Sequence, residues 1–248
     1  MPATEWGWQI TPQELEGWIM ERRGDVLVVN KPPSVVCHPS RHGPWSSLVG
    51  ACKEYLGVER LHMPMRLDRE TSGLMLLAYS HDAGSRLQRA MFRGRVRKTY
   101  LAILDGTLDR AVTVDQPVGP AAGAAFFQRQ AVVTEGGRAA VTEFVPLRTE
   151  GGYTLAEVHP LTGRRHQIRV HAAWLGLPLL GDKLYGRDDS LMLEFMQTGY
   201  SPEFEAKLAF RRQALHAAEA VFRTELGEEV YRAPLASDMA EFPFTPRR

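Results

Sequence analysis

Apolar and polar positions along this chain form short blocks whose period switches several times between two and about 3.6. Thr11 followed by Pro12 predicts a helix running to Arg22, with Thr11 as its cap and Pro12 at the first helical position. Asp25–Asn30 reads as a compact β-branched strand, ended by Lys31-Pro32-Pro33 because proline cannot donate to a sheet ladder. Leu74–Tyr79 reads as a buried strand, followed by a helix capped by Ser80 with Ala83, Leu87 and Ala90/Met91 on one face. After Gly94, the pattern predicts a strand over Thr99–Leu104 closed by Asp105-Gly106, and further strands around 131–134, 139–147 and 153–159. Helices are expected over His166–Leu175, stopped by Gly176, and over Ser190–Gln197. A last strand, Leu215–Thr224, leads into an acidic turn with Glu225, Glu228 and Glu229.

Strands therefore outnumber three or four helices and do not alternate with them strictly. That pattern argues for an α+β chain with a mixed, largely antiparallel sheet and flanking helices, against a doubly wound nucleotide fold. No Pro/Gly/Ser-rich linker divides it, so residues 25–248 are expected to form one domain, preceded by an extension over 1–24.

Composition narrows the class. The 248 residues carry 30 Lys+Arg against 29 Asp+Glu, with 44% hydrophobic and 24% charged residues, which excludes a disordered tail protein and a uniformly basic one. Apolar runs such as Leu74–Tyr79 are far below the ~18–20 residues of a membrane span, and the acidic N-terminus lacks a signal segment. Only Cys37 and Cys52 are present, too few for a disulfide framework or a zinc site, so a cytoplasmic location is expected.

Several chemistries are also disfavoured. No phosphate-cradling glycine motif and no GxSxG elbow occurs. His166 and His171, five apart, would sit roughly 140° apart on a helix, whereas zinc-binding histidine pairs share a face. No metal site is expected.

Three segments stand out. Arg66-Leu-Asp-Arg-Glu-Thr-Ser-Gly73 places a carboxylate, Asp68, between two arginines in a loop entering the sheet; alone it reads more readily as a surface loop with ion pairs. Arg86, Arg89, Arg93, Arg95, Arg97 and Lys98 form a one-sign run that hints at an anionic partner, with Tyr100 at its end for base stacking or for core packing. Leu161–His171 contains Arg164 and Arg165 at an expected helix start, and Arg165 and Arg169 spaced to share a face. A buried arginine there needs a carboxylate, and Asp68 is one candidate; alternatively the arginines are simply exposed.

Taken together, these segments resemble the RluA-type pseudouridine synthases. The family's HRLDRxTSG loop is matched by Met65–Gly73, with Met65 in place of the usual histidine. Its KxY strand is matched by Lys98-Thr99-Tyr100, and its TGRxHQIRVH segment by Thr162–His171. Val28–Pro32 and Gly181–Gly186 are similar to two further family stretches, and the resemblance runs from about Asp25 to about Asp238. It implies a basic cleft across the sheet and a reaction that needs no cofactor. The small N-terminal RNA-binding domain of many relatives is not expected here, because the catalytic pattern already begins near residue 25, and a monomer is expected.

The resemblance further implies that an RNA uridine, ribosomal or transfer, is flipped out and isomerised by Asp68. Tyr100 then stacks on the uracil, Arg169 holds Asp68 charged, and Arg66 fills the vacated space. Arg66, Arg69, Lys98, Arg164, His166 and Gln167 are the substrate-binding residues so implied, and the Arg86–Lys98 stretch grips phosphates. Two other classes compete. A noncatalytic RNA-binding module would need no Asp68–Arg169 pair, and a nucleoside hydrolase would use two carboxylates such as Asp68 and Glu70. In an extended segment those two would point to opposite sides, which disfavours the hydrolase.

Overall fold

The structure, a computed structural model, describes residues 9–38, 43–124, 126, 128–186 and 190–244. Residues 1–8 of the expected extension and 187–189 of the segment before the expected helix at Ser190 lie outside these. In chain order the elements are α1 (Pro12–Trp18), β1 (Ile19–Arg23), β2 (Val26–Lys31), α2 (Leu48–Leu56), β3 (Ser72–Ala78) and α3 (His81–Phe92). There follow β4 (Val96–Leu104), β5 (Val112–Asp115), β6 (Val118–Pro120), β7 (Gln130–Val132), β8 (Val141–Glu150) and β9 (Tyr153–Pro160). The last are α4 (Gln167–Trp174), α5 (Leu191–Thr198), α6 (Pro202–Glu205), β10 (Leu215–Thr224), β11 (Gly227–Arg232) and α7 (Ser237–Ala240). The chain divides into two compact units: residues 1–98 with 216–236, and residues 99–215 with 237–248. No helix among the described residues is long and apolar enough to cross a membrane. The chain is α+β, with mostly antiparallel pairing.

Unit 1 is a mixed sheet in the order β1-β2-β3-β10, with β11 added to β10. β2 runs antiparallel to β3, from Val26↔Ala78 to Lys31↔Gly73, while β10 lies parallel to β3 at His216↔Ser72 and Ala217↔Gly73. Every residue of β3 is buried, as expected of a central strand covered on both faces, and α3 packs against it with Ala83, Gly84, Leu87 and Ala90 buried. Ser80 caps α3 as predicted, its side chain accepting from the Ala83 N–H.

Unit 2 carries the antiparallel order β4-β9-β8-β5 and a separate β6-β7 pair. Its core joins Ala102, Leu104, Val114, Phe144, Ala156 and Val158 of the sheet to Ile168 and Ala172 of α4. Tyr100, opposite Val158 in the register, is half-buried against this cluster.

Several elements depart from the sequence expectation; the short β5, β6, α6 and α7 are absent from it, and four others are instructive. The predicted first helix stops at Trp18, although its cap is as expected, with a full capping box between Thr11 and Glu14. Ile19–Arg23 instead pairs with β2 across a hairpin turned at Gly24, whose φ is +54°. Sheet pairing here overrides a run with ordinary helix propensity. α2 is absent from the sequence expectation: its first five residues, Leu48–Cys52, are all buried, so it has no polar stripe to announce it. The expected acidic turn begins a strand, β11, because Glu228 and Glu229 pair with Arg223 and Phe222 of β10.

Candidate active site

In unit 1, β3 is entered from the loop 65–71, whose backbone is held at several points. Lys31, at the end of β2, is fully buried, and its ammonium donates to the carbonyls of Pro32 (2.8 Å), Val35 (2.9 Å) and Arg69 (3.0 Å). Burying that charge among apolar atoms alone would be costly; three carbonyl dipoles match its three protons. The Cys37 thiol donates to the Leu67 carbonyl at 3.3 Å, and the Thr71 N–H donates to the Asp68 carbonyl at 3.2 Å, closing a turn over Arg69 and Glu70. Just downstream, the buried Ser72 hydroxyl lies 3.0 Å from His216 Nδ1. Gly73 follows with φ +108°, where a Cβ would collide with the Ala217 backbone, so the close approach of β3 to β10 requires glycine.

Asp68 is half-buried, between the exposed Arg66 and the half-buried Arg69. Burial raises the pKa of the neighbouring Cys37, the charges of Lys31 and Arg66 lower it, and that of Asp68 raises it, so these groups share one electrostatic neighbourhood. Cys52 is pushed up to about 12 by burial, so its thiol stays protonated and unreactive. The turn also corrects one argument: Asp68 and Glu70 do not lie on an extended segment, so strand alternation does not separate them.

In unit 2, His166 is the N-cap of α4, in the left-handed region at φ +55°. Helix α4 begins one residue later than predicted, so Arg165 precedes it and does not share a helix face with Arg169; it is exposed and donates to Gln128 Oε1 at 2.7 Å. Arg164 donates through Nε to the Ala139 carbonyl at 2.9 Å. Gln167, expected to bind substrate, is buried with its amide taken up internally. Its Oε1 accepts from the Thr162 hydroxyl (2.7 Å) and the Arg164 N–H (3.0 Å), and its Nε2 donates to the Val141 carbonyl and the Thr142 hydroxyl (both 2.9 Å). Gln167 therefore ties the loop before α4 to β8 and has no amide position left for a substrate.

The buried Arg169 does have a carboxylate, and within unit 2 it is that of Asp182. Nε donates to Oδ2 at 2.7 Å and Nη2 to Oδ1 at 2.9 Å, a parallel pair of charge-assisted bonds. Asp182 also accepts the N–H groups of Leu184 (3.0 Å) and Tyr185 (3.1 Å). Burial alone would raise its pKa, but the charge and hydrogen bonds of Arg169 and the two amides outweigh it and hold the carboxyl below its ordinary value. The Tyr185 ring lies under the Arg169 guanidinium at 4.9 Å. Its hydroxyl accepts from the Gln130 N–H and meets His166 Nδ1, each at 2.8 Å, so the Asp182–Tyr185 segment fixes both His166 and Arg169.

The basic run is also reshaped by its surroundings. Arg86 pairs with Glu229 at 3.0 Å, Arg89 with Glu225 at 2.5 Å and Arg97 with Glu219 at 3.4 Å. Half of the run expected to grip phosphates is thus matched by acids of the β10–β11 hairpin. Lys98 is half-buried on β4, and desolvation lowers its pKa. The anchoring roles of Lys31 and Asp182 are missing from the sequence expectation. The one local signal for Lys31 is a lysine ending an otherwise apolar strand; Asp182 shows only as an acid in a glycine-bounded stretch.

Comparison with known proteins agrees with this arrangement. Residues 25–174, which include the Asp68 loop, Tyr100 and Arg169, match the family model described as RNA pseudouridylate synthase. The chain is 36% identical over 231 residues to ribosomal large subunit pseudouridine synthase D of Vibrio vulnificus, covering 90% of this chain and 69% of the relative. It is 35% identical to an uncharacterized RNA pseudouridine synthase, YjbO, of Bacillus subtilis, covering 87% of this chain and 71% of that one. Among solved structures, human RNA pseudouridylate synthase domain containing 1 superposes with a TM-score of 0.66 at 26% identity, over 87% of this chain and 82% of that one. Human RNA pseudouridylate synthase domain containing 4, at 24% identity and TM-score 0.70 over 92% of both chains, shares the fold. With a family model spanning more than half of its length and relatives above 30% identity over most of theirs, the chain belongs to the RNA pseudouridylate synthase family, in its RluA-type branch.

Proposed function

We propose that this pseudouridine synthase modifies one or more uridines of large-subunit ribosomal RNA, with Asp68 as the catalytic carboxylate. The observation that carries it is the Asp68 loop: a half-exposed carboxylate on a backbone locked by the buried Lys31, inside the segment that matches the family. The name of the Vibrio vulnificus relative reported above supports ribosomal RNA as the substrate.

In the isomerisation, the N1–C1′ bond of uridine breaks, the uracil turns, and a C5–C1′ bond forms. C5 loses a proton and N1 gains one, so atoms and electrons balance without a co-reactant. A uridine in a stack is out of reach, so the nucleotide is flipped out. Asp68 must be ionised, and the family resemblance assigns Arg169 to keep it so. Tyr100 stacks on the uracil, and Arg66, Arg69 and Arg164 meet the RNA; the enzyme works as a cytoplasmic monomer without a small-molecule cofactor. The family resemblance supports these assignments.

Pseudouridine mapping across ribosomal and transfer RNA, from cells with and without the gene, tests the substrate. Loss of sites in large-subunit ribosomal RNA, restored by the parent chain and not by Asp68→Asn, is the expected result. Loss confined to transfer RNA would overturn the ribosomal assignment, and restoration by Asp68→Asn would overturn the catalytic one.

A further inference from the structure

The most exposed large apolar side chain among those described is Phe92, at 92% of its free surface. It is the last residue of α3 and makes no aromatic contact among the described residues. The corner that presents it is rigid. Gly94, in the left-handed region at φ +65°, donates to the Met91 carbonyl at 3.1 Å, and Arg95 donates to the Ala90 carbonyl at 2.9 Å, a Schellman ending. The Arg95 carbonyl in turn accepts from the Arg223 N–H of β10 at 3.0 Å.

The neighbours on either side of the turn, Arg93 and Arg95, are exposed and have no ion-pair partner among the described residues. That separates them from Arg86, Arg89 and Arg97, each matched by a glutamate. An apolar residue at the position after the glycine often seals such a helix end against its last turn; here it is Arg95, and the apolar ring faces water instead. Among the described residues of unit 1, nothing in the packing uses the ring. An unpacked aromatic beside two unmatched guanidiniums is the chemistry of a stacking platform with phosphate grips. A single ring accompanied by two cations is too small and too charged for a protein interface core.

We propose that Phe92, Arg93 and Arg95 form an accessory RNA contact outside the Asp68 loop. An unpaired base stacks on the Phe92 ring, and the adjoining phosphates meet the two guanidiniums. The proposal rests on RNA being the substrate and extends that reading to how the strand is held. Because Phe92 supports no core, its replacement leaves folding intact.

The test is fluorescence anisotropy of the full chain with a short labelled single-stranded RNA of adenines and uridines, and with a blunt duplex of equal length. Phe92→Ala and Phe92→Leu are both expected to weaken single-strand binding roughly tenfold, with Phe92→Trp close to the parent and the duplex little affected. Arg93→Ala with Arg95→Ala is expected to reduce the log–log salt slope by about 1.4, from about 0.7 per phosphate contact on a single strand. Unchanged single-strand affinity in Phe92→Ala overturns the proposal, as does full rescue by leucine, which would mean apolar contact without stacking. If the parent forms pseudouridine and Phe92→Ala binds and reacts equally well, the accessory contact fails while the proposed function stands. If the parent neither binds RNA nor forms pseudouridine, the proposed function fails with it.

Discussion

The Asp68 loop of unit 1 and the Arg169 corner of unit 2 are both built around a charge, but they immobilise different parts of the chain. At Asp68 the protein grips the backbone: the Lys31 ammonium takes the Arg69 carbonyl and Cys37 takes that of Leu67, while the carboxylate side chain is half-exposed. At Arg169 it grips the side chain: Asp182 takes one edge of the guanidinium, through Nε and Nη2, and Tyr185 lies beneath it. A half-exposed carboxylate stays open to solvent, whereas an arginine buried in a core needs its charge matched.

The first way to sharpen this contrast is at the exposed end of it. Asp68→Asn is expected to lower pseudouridine formation by roughly 10²–10⁴-fold or more while leaving the urea unfolding curve nearly unchanged, because the loop is held through its backbone. A large loss of stability would show that the carboxylate itself holds the loop.

At the enclosed end the order of effects reverses. Asp182→Ala or Arg169→Ala is expected to cost ~3–5 kcal/mol of unfolding free energy, because the remaining charge is left buried and unmatched. The double variant is expected to lose less than the sum, by more than the ~0.5 kcal/mol tolerance of independent sites. The pair also sets an acid dependence. The folded pKa of Asp182 lies below its ordinary 3.8, so its contribution is complete above that pH and is lost as the pH falls from there through the folded value. The parent is therefore expected to lose stability in acid more steeply than Asp182→Asn; parallel curves would remove Asp182 from the linkage.

Between these extremes, Lys31→Met leaves three carbonyls without their donor. It is expected to cost about 2–4 kcal/mol and to reduce activity further than the unfolded fraction explains, since the Asp68 turn loosens. Folded Lys31→Met with parental activity would show that backbone anchoring is dispensable. Gly73→Ala puts a Cβ against β10 at positive φ and is expected to cost about 1–3 kcal/mol by thermal unfolding. The smallest effect belongs to Arg89→Ala, whose thermal midpoint is expected to stay close to the parent's, because both partners of its pair with Glu225 are exposed to solvent screening.

Much of the architecture is legible along the chain. β10 occupies the predicted Leu215–Thr224, Ser80 caps α3, and Gly176 stops the helix after Trp174 in the left-handed region at φ +73°. These signals are local: periodicity, β-branched runs, caps and glycine depend on residues within a turn or two of each other. The Asp68 loop and the Thr162–His171 segment are legible as motifs for the same reason, since each is contiguous.

Partnership is not local, and there the sequence expectation and the structure diverge. Ile19–Arg23 is a strand because β2 lies beside it, and Glu228–Glu229 is part of β11 because β10 does. Arg86, Arg89 and Arg97 look like free cations until a hairpin more than a hundred residues away supplies their glutamates. Gln167 looks like a substrate ligand until Thr142, Val141 and Thr162 consume its amide. Asp182 follows Arg169 by 13 residues, and only the return of the chain after α4 brings the two carboxylate oxygens onto the guanidinium. The chain alone thus determined most of the segments that are strands and helices and which contiguous loop carries Asp68 into β3. Which charges would be neutralised, and which left to meet RNA, was decided by tertiary structure, because Coulomb and hydrogen-bond energies depend on the separation of groups in space and not along the backbone.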